Sequence, residues 1–279
     1  MSNPIPINKK TISILGCGWF GLALAKNLVQ KGYNVKGSST TLEKLNLLSS
    51  HKIQPFLVDF KKDNAHYDAN FFKTDFLFIC IPPKRSTSEQ SDFYFKIEQI
   101  VNAAIKNQIK QVLFISSTAV YGDTNEVVTE LSIPKPETAS GKVMLQTEKL
   151  LNAQKAFTST IIRFAGLVGP QRHPGRFFAG KTNIPNGKAP INLIHLDDCI
   201  GLSIAILENE NYGHTFNACA PDHPDKQEFY TLASIKAELS PPLFIDELLN
   251  WKKVSTIHTD LLNYNYLVNN WINWLNEDK

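Results

Sequence analysis

The sequence predicts a doubly wound α/β fold, a parallel sheet covered by helices, followed by a small α+β carboxy-terminal lobe. Three observations carry that expectation. Apolar runs of strand length alternate with segments of helical periodicity from Thr11 to Phe164. A glycine-rich turn separates the first strand from the first helix. The regular alternation then loosens from Gly169 to Pro190, where glycine, proline and charged residues dominate. Repeated strand–helix alternation is the signature of a parallel sheet, because each right-handed crossover lays a helix on one of its faces.

Each element has its own reason. Thr11–Leu15 is a short apolar run that ends in glycine, as a buried strand does. Over Trp19–Gln30 the residues Phe20, Leu22, Ala23, Leu24, Leu28 and Val29 suit a helix packed on a sheet, and Gly32 stops it. A strand over 33–37 completes a βαβ unit. A helix over 42–50 and a strand over 54–58 follow. Residues 75–81, DFLFICI, form an apolar strand closed by Pro82 and Pro83. The segment 93–107 is an amphipathic helix with Phe93, Ile97, Ile100, Val101, Ala104 and Ile105 on its apolar side. A strand over 111–115 runs into Ser116, Ser117 and Thr118. A helix over 141–153 and a strand over 160–164 close the regular part. Beyond it lie a helix over 198–208, a strand over 215–217 and a helix over 226–238. The last strongly patterned segment is 261–275, with Trp251, Trp271 and Trp274 nearby. The expected division is a sheet domain over 1–168 and a lobe over 169–279 packed on it.

Composition narrows the function. The chain has 279 residues, enough for one large or two intimate domains at about 100–200 residues each. Hydrophobic residues make up 43% and charged residues 20%, so a sizeable core is expected. A net charge of +3, with both signs mixed along the chain, is too small to make nucleic acid the main partner. No apolar run is long enough to span a membrane, and residues 1–10 lack a signal-peptide core. Cys17, Cys80, Cys199 and Cys219 show no CxxC spacing. A reducing, cytoplasmic location without disulfides or structural zinc follows as the expectation. His195 with Asp197 and Asp198 is the nearest approach to a metal cluster, and no metal is expected.

The glycine turn carries the chemistry. Gly16-Cys17-Gly18-Trp19-Phe20-Gly21 is GxGxxG placed between a strand and a helix, the context that gives the pattern meaning. Gly16 allows the tight turn, Gly18 lets backbone approach a pyrophosphate, and Gly21 lets helix pack on strand. The helix start then offers free N–H groups to the phosphates. After the second strand comes Gly37-Ser38-Ser39-Thr40-Thr41, with no acid to hold a ribose 2′-hydroxyl before Glu43. Hydroxyls surround that position, and Lys36 and Lys44 are near, which favours NADP over NAD. Asp59 either accepts from the adenine amino group or is an ordinary loop acid. The residues expected around the dinucleotide are Gly16, Gly18, Trp19, Phe20, Gly21, Ser38, Ser39, Thr40, Asp59, Ile81, Pro82 and Ser116.

Four further segments bear a resemblance. They are Ser116-Ser117-Thr118-Ala119-Val120-Tyr121-Gly122, the Arg163 to Pro170 run ending in Gly-Pro, His195-Leu196-Asp197-Asp198, and Phe216-Asn217. In order and spacing they resemble the extended short-chain dehydrogenase and epimerase/dehydratase family. The GxGxxG form and Lys252-Lys253-Val254 are similar to its atypical branch of YeeZ-type proteins. The resemblance implies a Rossmann sheet, NAD(P), a polar and in some members nucleotide-linked sugar substrate, and a homodimer formed by the helices over 93–107 and 141–153. It also implies a substrate pocket at the carboxyl ends of the strands.

The family's proton-transfer pair is missing. Active members use a tyrosine whose pKa a lysine four residues later lowers, since free tyrosine titrates near about 10. The glutamate that follows in the family matches Glu148, which leaves Met144 at the lysine position and Ser140 at the tyrosine position. No tyrosine occurs between Tyr121 and Tyr212. By resemblance, Ser117 orients the substrate and Tyr121 is structural or substrate-lining; Tyr121 is also the second catalytic candidate. Glu130, Ser140, Met144, Arg172 and Arg176 are the candidate substrate contacts, with Glu130 otherwise a solvated loop acid and the two arginines otherwise surface residues. Asp198 reads as a helix cap and Arg163 as a residue of the fold. Two functions remain: an NAD(P)-dependent oxidoreductase or epimerase, and a catalytically silent dinucleotide sensor.

Overall fold

The computed structural model describes residues 10–61, 64–83 and 87–277, and for 87–91 only the backbone. In chain order the elements begin with β1 (Thr11–Leu15), α1 (Trp19–Gln30), β2 (Asn34–Ser39), α2 (Glu43–Ser50) and β3 (Gln54–Leu57). The small hairpin β4 (Asp59–Phe60) and β5 (Ala65–His66) follows, then β6 (Phe76–Ile79), α3 (Thr87–Lys106) and β7 (Gln111–Ser117). Next come β8 (Glu126–Val128), α4 (Ala139–Asn152), β9 (Thr158–Phe164), β10 (Gly166–Val168) and α5 (Gly175–Phe178). The chain ends with β11 (Leu193–His195), α6 (Leu196–Glu208), β12 (Thr215–Ala218), α7 (Lys226–Lys236), β13 (Lys252–Val254) and α8 (Trp271–Glu277).

Seven strands form one sheet in the order β12-β9-β7-β6-β1-β2-β3. The pairs β1–β2, β1–β6, β2–β3 and β6–β7 are parallel. Leaving β1, the chain adds strands to one side as far as β3 and then crosses to the other at β6. That reversal makes β1 and β6 the switch point of the sheet, where open α/β folds leave a crevice. No helix among the described residues is long and apolar enough to cross a membrane.

The residues divide into two compact units, 1–115 with 146–161, and 116–145 with 162–279. This grouping interleaves chain segments, where the sequence suggested one boundary at 168.

In the first unit, Ile12 of β1 lies opposite Val35 of β2 and Phe76 of β6. Every residue of β6 is buried, as a parallel strand covered on both faces requires. Helix α1 buries Phe20, Leu24 and Leu28 at i, i+4 spacing. It stops at Gly32, whose φ of 89° accepts the left-handed turn. The Gly32 and Tyr33 N–H groups donate to Val29 and Leu28, which closes the helix end. Phe56, Phe60, Phe71 and Phe72 fill the edge beside β3 with edge-on ring contacts.

The second unit has its own core of Val168, Leu193, Phe229, Ala233, Trp271 and Leu275. Gly175 lets α5 approach α7, since a Cβ there would overlap the Ala233 carbonyl. Strands β8 and β13 pair in parallel, as do β10 and β11.

One sequence expectation is corrected here. Asp198 does not cap α6. The cap is His195, whose ring accepts the Asp197 N–H at 3.3 Å. Asp198 lies inside the helix, fully buried, and accepts from Tyr264 Oη (2.9 Å), Leu267 N (2.7 Å) and Val268 N (3.1 Å). The strongly patterned segment 261–275 is more than one element. A 3-10 turn over Thr259–Leu262 ends at Asn263 in the left-handed region, and α8 starts only at Trp271. The apolar spacing serves Leu262, Val268, Trp271 and Leu275 in turn, while side-chain carboxylates take backbone N–H groups that a continuous helix would use.

Replacing Asp198 by Ala strands three donors at once. The expected loss is about 3 kcal/mol, at the upper end for an unsatisfied buried group. Denaturant unfolding monitored by circular dichroism checks it, and a loss below about 0.5 kcal/mol would count against the anchoring role.

Candidate functional site

The glycine turn is built by its own backbone. Gly16 has φ 97°, and a Cβ there would sit 2.6 Å from Ile81 Cγ2. Its N–H donates to Ser38 Oγ at 2.8 Å, and the Cys17 N–H donates to the Ser38 carbonyl at 3.0 Å. These bonds fasten the turn to the end of β2. A Cβ on Gly21 would overlap the Gly16 carbonyl oxygen, so only glycine lets α1 start against the turn. Gly18 is different: nothing lies within 4 Å of where its Cβ would be. It is the N-cap of α1, no side chain caps that end, and no acid occupies the first turn. The turn therefore leaves open space beside amide groups that favour an anion.

That space belongs to a groove of about 210 Å³ in the first unit. Gly16, Cys17 and Gly18 line it after β1, Ser38, Ser39 and Thr40 at the end of β2, Val58 and Asp59 after β3, and Cys80, Ile81 and Pro82 after β6. Four strand ends thus converge on the switch point. Burial pushes the Cys17 thiol up to about 12, and Cys80 also rises because it is buried. Both thiols stay neutral at physiological pH and put no negative charge beside a phosphate.

The structure sorts the expected cofactor residues. Gly16, Gly18, Ser38, Ser39, Thr40, Asp59, Ile81 and Pro82 come together on the groove. Gly21 and Phe20 support it from behind, Phe20 with its ring in the core. Trp19 opens α1 without lining the groove, and Ser116 is buried within the second unit. Ser39 Oγ accepts the Thr41 N–H at 3.1 Å. Asp59 carries an ion pair to Lys61 at 3.3 Å. Lys36 is turned elsewhere: its ammonium donates to the Asn70 and Lys73 carbonyls, each at 2.6 Å, and it does not line the groove. Lys44 does line it, and so does Lys96 of α3, which the sequence did not single out.

The second unit holds a cavity of about 380 Å³. Ser117 and Thr118 line it, with Asp123, Lys226, Tyr230, Asn250, Trp251 and Lys252. Ser117 Oγ accepts the Ala119 N–H at 3.1 Å, which leaves its proton for another acceptor. Lys252 Nζ lies 2.7 Å from Asp123 Oδ1 and 3.1 Å from the Tyr121 carbonyl. Burial lowers the Lys226 ammonium below its ordinary value, against the pull of Asp123. Burial also pushes the Tyr230 phenol well above its ordinary value.

Tyr121 and Glu130 lie away from this cavity. The Tyr121 ring is buried, and its oxygen accepts from Arg163 Nη1 at 2.6 Å. Its own proton faces the Thr129 carbonyl (2.8 Å) and Asn217 Oδ1 (3.0 Å). Burial raises this phenol, and the nearby Arg163 charge only partly offsets the rise. A phenol so held is a poor proton carrier at neutral pH. The Glu130 carboxylate accepts the Asn217 N–H at 2.8 Å and the Ile257 N–H at 3.0 Å, so it works as a strut. Ser140 sits at the start of α4, 3.2 Å from Thr138 Oγ1. Met144 is buried on the same helix, and Arg172 and Arg176 are exposed. None of these four lines the cavity. Among the described residues no group of three or more His, Cys, Asp or Glu is placed to hold a metal.

A glycine-founded groove at the switch point of a parallel sheet defines a dinucleotide-binding Rossmann protein. The chain belongs to the NAD(P)H-binding family, whose model matches residues 16–192. Among particular relatives, Protein YeeZ of Escherichia coli (strain K12) is 37% identical over 243 residues, which cover 86% of this chain and 88% of that protein. Two solved structures share the fold. UDP-glucuronic acid 4-epimerase from Bacillus cereus, in complex with NAD, matches with a TM-score of 0.77 at 17% identity, covering 96% of this chain and 97% of the other. A functionally unknown conserved protein from Silicibacter pomeroyi matches at 0.76 and 20% identity, covering 96% and 97%.

Two substitutions separate architecture from binding. Gly18→Ala meets open space, so its unfolding midpoint should stay within about 2 °C of wild type, while NADPH affinity falls about tenfold or more. Gly21→Ala should lose both stability and binding. Fluorescence titration with thermal melts reads the pair. Tyr121→Phe leaves Arg163 Nη1 without this acceptor, and about 1–3 kcal/mol of stability should be lost with NADPH affinity unchanged.

Proposed function

We propose that this protein is an NAD(P)-dependent oxidoreductase or epimerase/dehydratase-like enzyme, with NADP as its preferred dinucleotide. The observation that carries the reading is the open space at Gly18, where a pyrophosphate meets the uncapped start of α1. The dinucleotide supplies hydride exchange, and Gly16, Gly18, Cys80, Ile81 and Pro82 are the residues that would hold it. The preference for NADP is supported by the Ser38–Thr40 hydroxyls and the Lys44 and Lys96 ammonium groups on the same groove. Asp59, the groove's acid, follows β3 and is paired with Lys61.

The substrate in this reading is a polar small molecule of the nucleotide-sugar class, as the name of the Bacillus cereus neighbour suggests. It occupies the second unit's cavity, where Ser117 donates a hydrogen bond. With Ser140 and Met144 in place of a tyrosine and a lysine, any turnover moves its proton through Ser117, a cavity lysine, bound water or the substrate itself. The same substitution, with Tyr121 held by Arg163, supports a second reading: a protein that binds the dinucleotide and reports its state without turnover. The exposed Phe95 and Ile105 of α3 support a homodimer through that helix, and the expected location is cytoplasmic.

Titration of the purified protein with NADPH and NADH tests the first claim. NADPH should bind about tenfold more tightly, and Lys44→Gln should shrink that advantage. A screen with nucleotide sugars and carbonyl compounds, followed by NADPH absorbance and by product analysis for redox-neutral epimerisation, decides between the readings. Tight NADPH binding with no product across the panel selects the silent sensor. Equal rejection of both dinucleotides sinks both readings.

A further inference from the structure

The second unit's cavity has an unequal charge balance. Its ionised lining groups are two lysines, Lys226 and Lys252, and one acid, Asp123. Lys252 takes that acid at 2.7 Å. Lys226 has no ion-pair partner among the described residues, although it is half-buried. Holding a lone ammonium out of water is unfavourable, and the cost is recovered when an anion joins it. Burial lowers the Lys226 ammonium below its ordinary value, and Asp123 offsets that only in part. Lys226 also opens α7, where the helix dipole adds positive potential and the acids Asp225 and Glu228 stand in the cap and first turn. Trp251 gives the cavity an aromatic wall, and Ser117 a hydroxyl.

We infer that this cavity binds a small polar molecule through an oxyanion, a carboxylate or a phosphate, and that Lys226 is the residue that selects for it. The inference deepens the proposed function and rests on it. It replaces Arg172 and Arg176, which are exposed and do not line the cavity. Lys252 has a separate job: it neutralises Asp123 so that the acid does not repel the ligand.

The test uses the full chain saturated with NADPH and calorimetric titration with glucose 6-phosphate, glucuronate and glucose. NADPH itself is titrated first. At least one of the two anions should bind about tenfold or more tightly than glucose. Lys226→Gln should abolish that advantage, and Lys226→Arg should keep it to within about threefold, both with wild-type melting temperature and NADPH affinity. Preference for glucose 6-phosphate identifies a phosphate, and preference for glucuronate a carboxylate; each supports the inference. Two results overturn it: neither anion binds better than glucose, or the preference survives Lys226→Gln. If those results come with normal NADPH binding, this inference falls and the dinucleotide reading stands. If NADPH fails to bind, the dinucleotide reading falls and takes this one with it.

Discussion

The start of α1 rests on the Gly16 carbonyl, and that contact exists only because Gly21 has no side chain. Everything about the first unit's groove depends on it. Gly16 can turn because φ 97° costs glycine little, and Ser38 then fixes the turn with its hydroxyl and its carbonyl. With the turn fixed, the first amides of the helix face open space beside Gly18 rather than a cap. The strand order supplies the rest, because β2 and β6 leave β1 in opposite directions and their ends cannot close over one another.

Much of this was legible before any coordinates. The bounds of β1 and α1 follow from an apolar run meeting a helical period at a glycine turn. The DFLFICI run reads as a strand because a parallel strand buried on both faces needs no alternation. What could not be read was direction. Lys36 and Lys44 stand near the same turn in the chain, but Lys36 points to the far side and bonds two carbonyls, and only Lys44 reaches the groove. Asp198 is a capping type and His195 is not, and only the backbone geometry puts His195 at the cap. The 261–275 pattern leaves the element type open, because burial at helical spacing also arises when an extended chain docks successive side chains in one core.

The candidate site divides in the same way. Glycines and strand-end residues of the groove carry a local signature, so sequence finds them. The cavity residues do not. Asp123, Lys226 and Lys252 lie in three separate stretches and meet only once β13 has paired with β8. Glu130 was legible as an acid near a substrate loop, but its carboxylate is spent on the Asn217 and Ile257 amides. Tyr121 had the right type and neighbourhood, yet Arg163 sits 2.6 Å from its oxygen and binds it into the interior.

The anchoring of the tail on Asp198 has a consequence for biosynthesis. The second unit draws Trp271 and Leu275 into its core, and Asp198 stays unmatched until Tyr264, Leu267 and Val268 arrive. All segments of the first unit have emerged by residue 161. On a translating ribosome the nucleotide groove is therefore able to form early, while the second unit's core stays incomplete, and Asp198 without its donors, until residues 264–275 have been made.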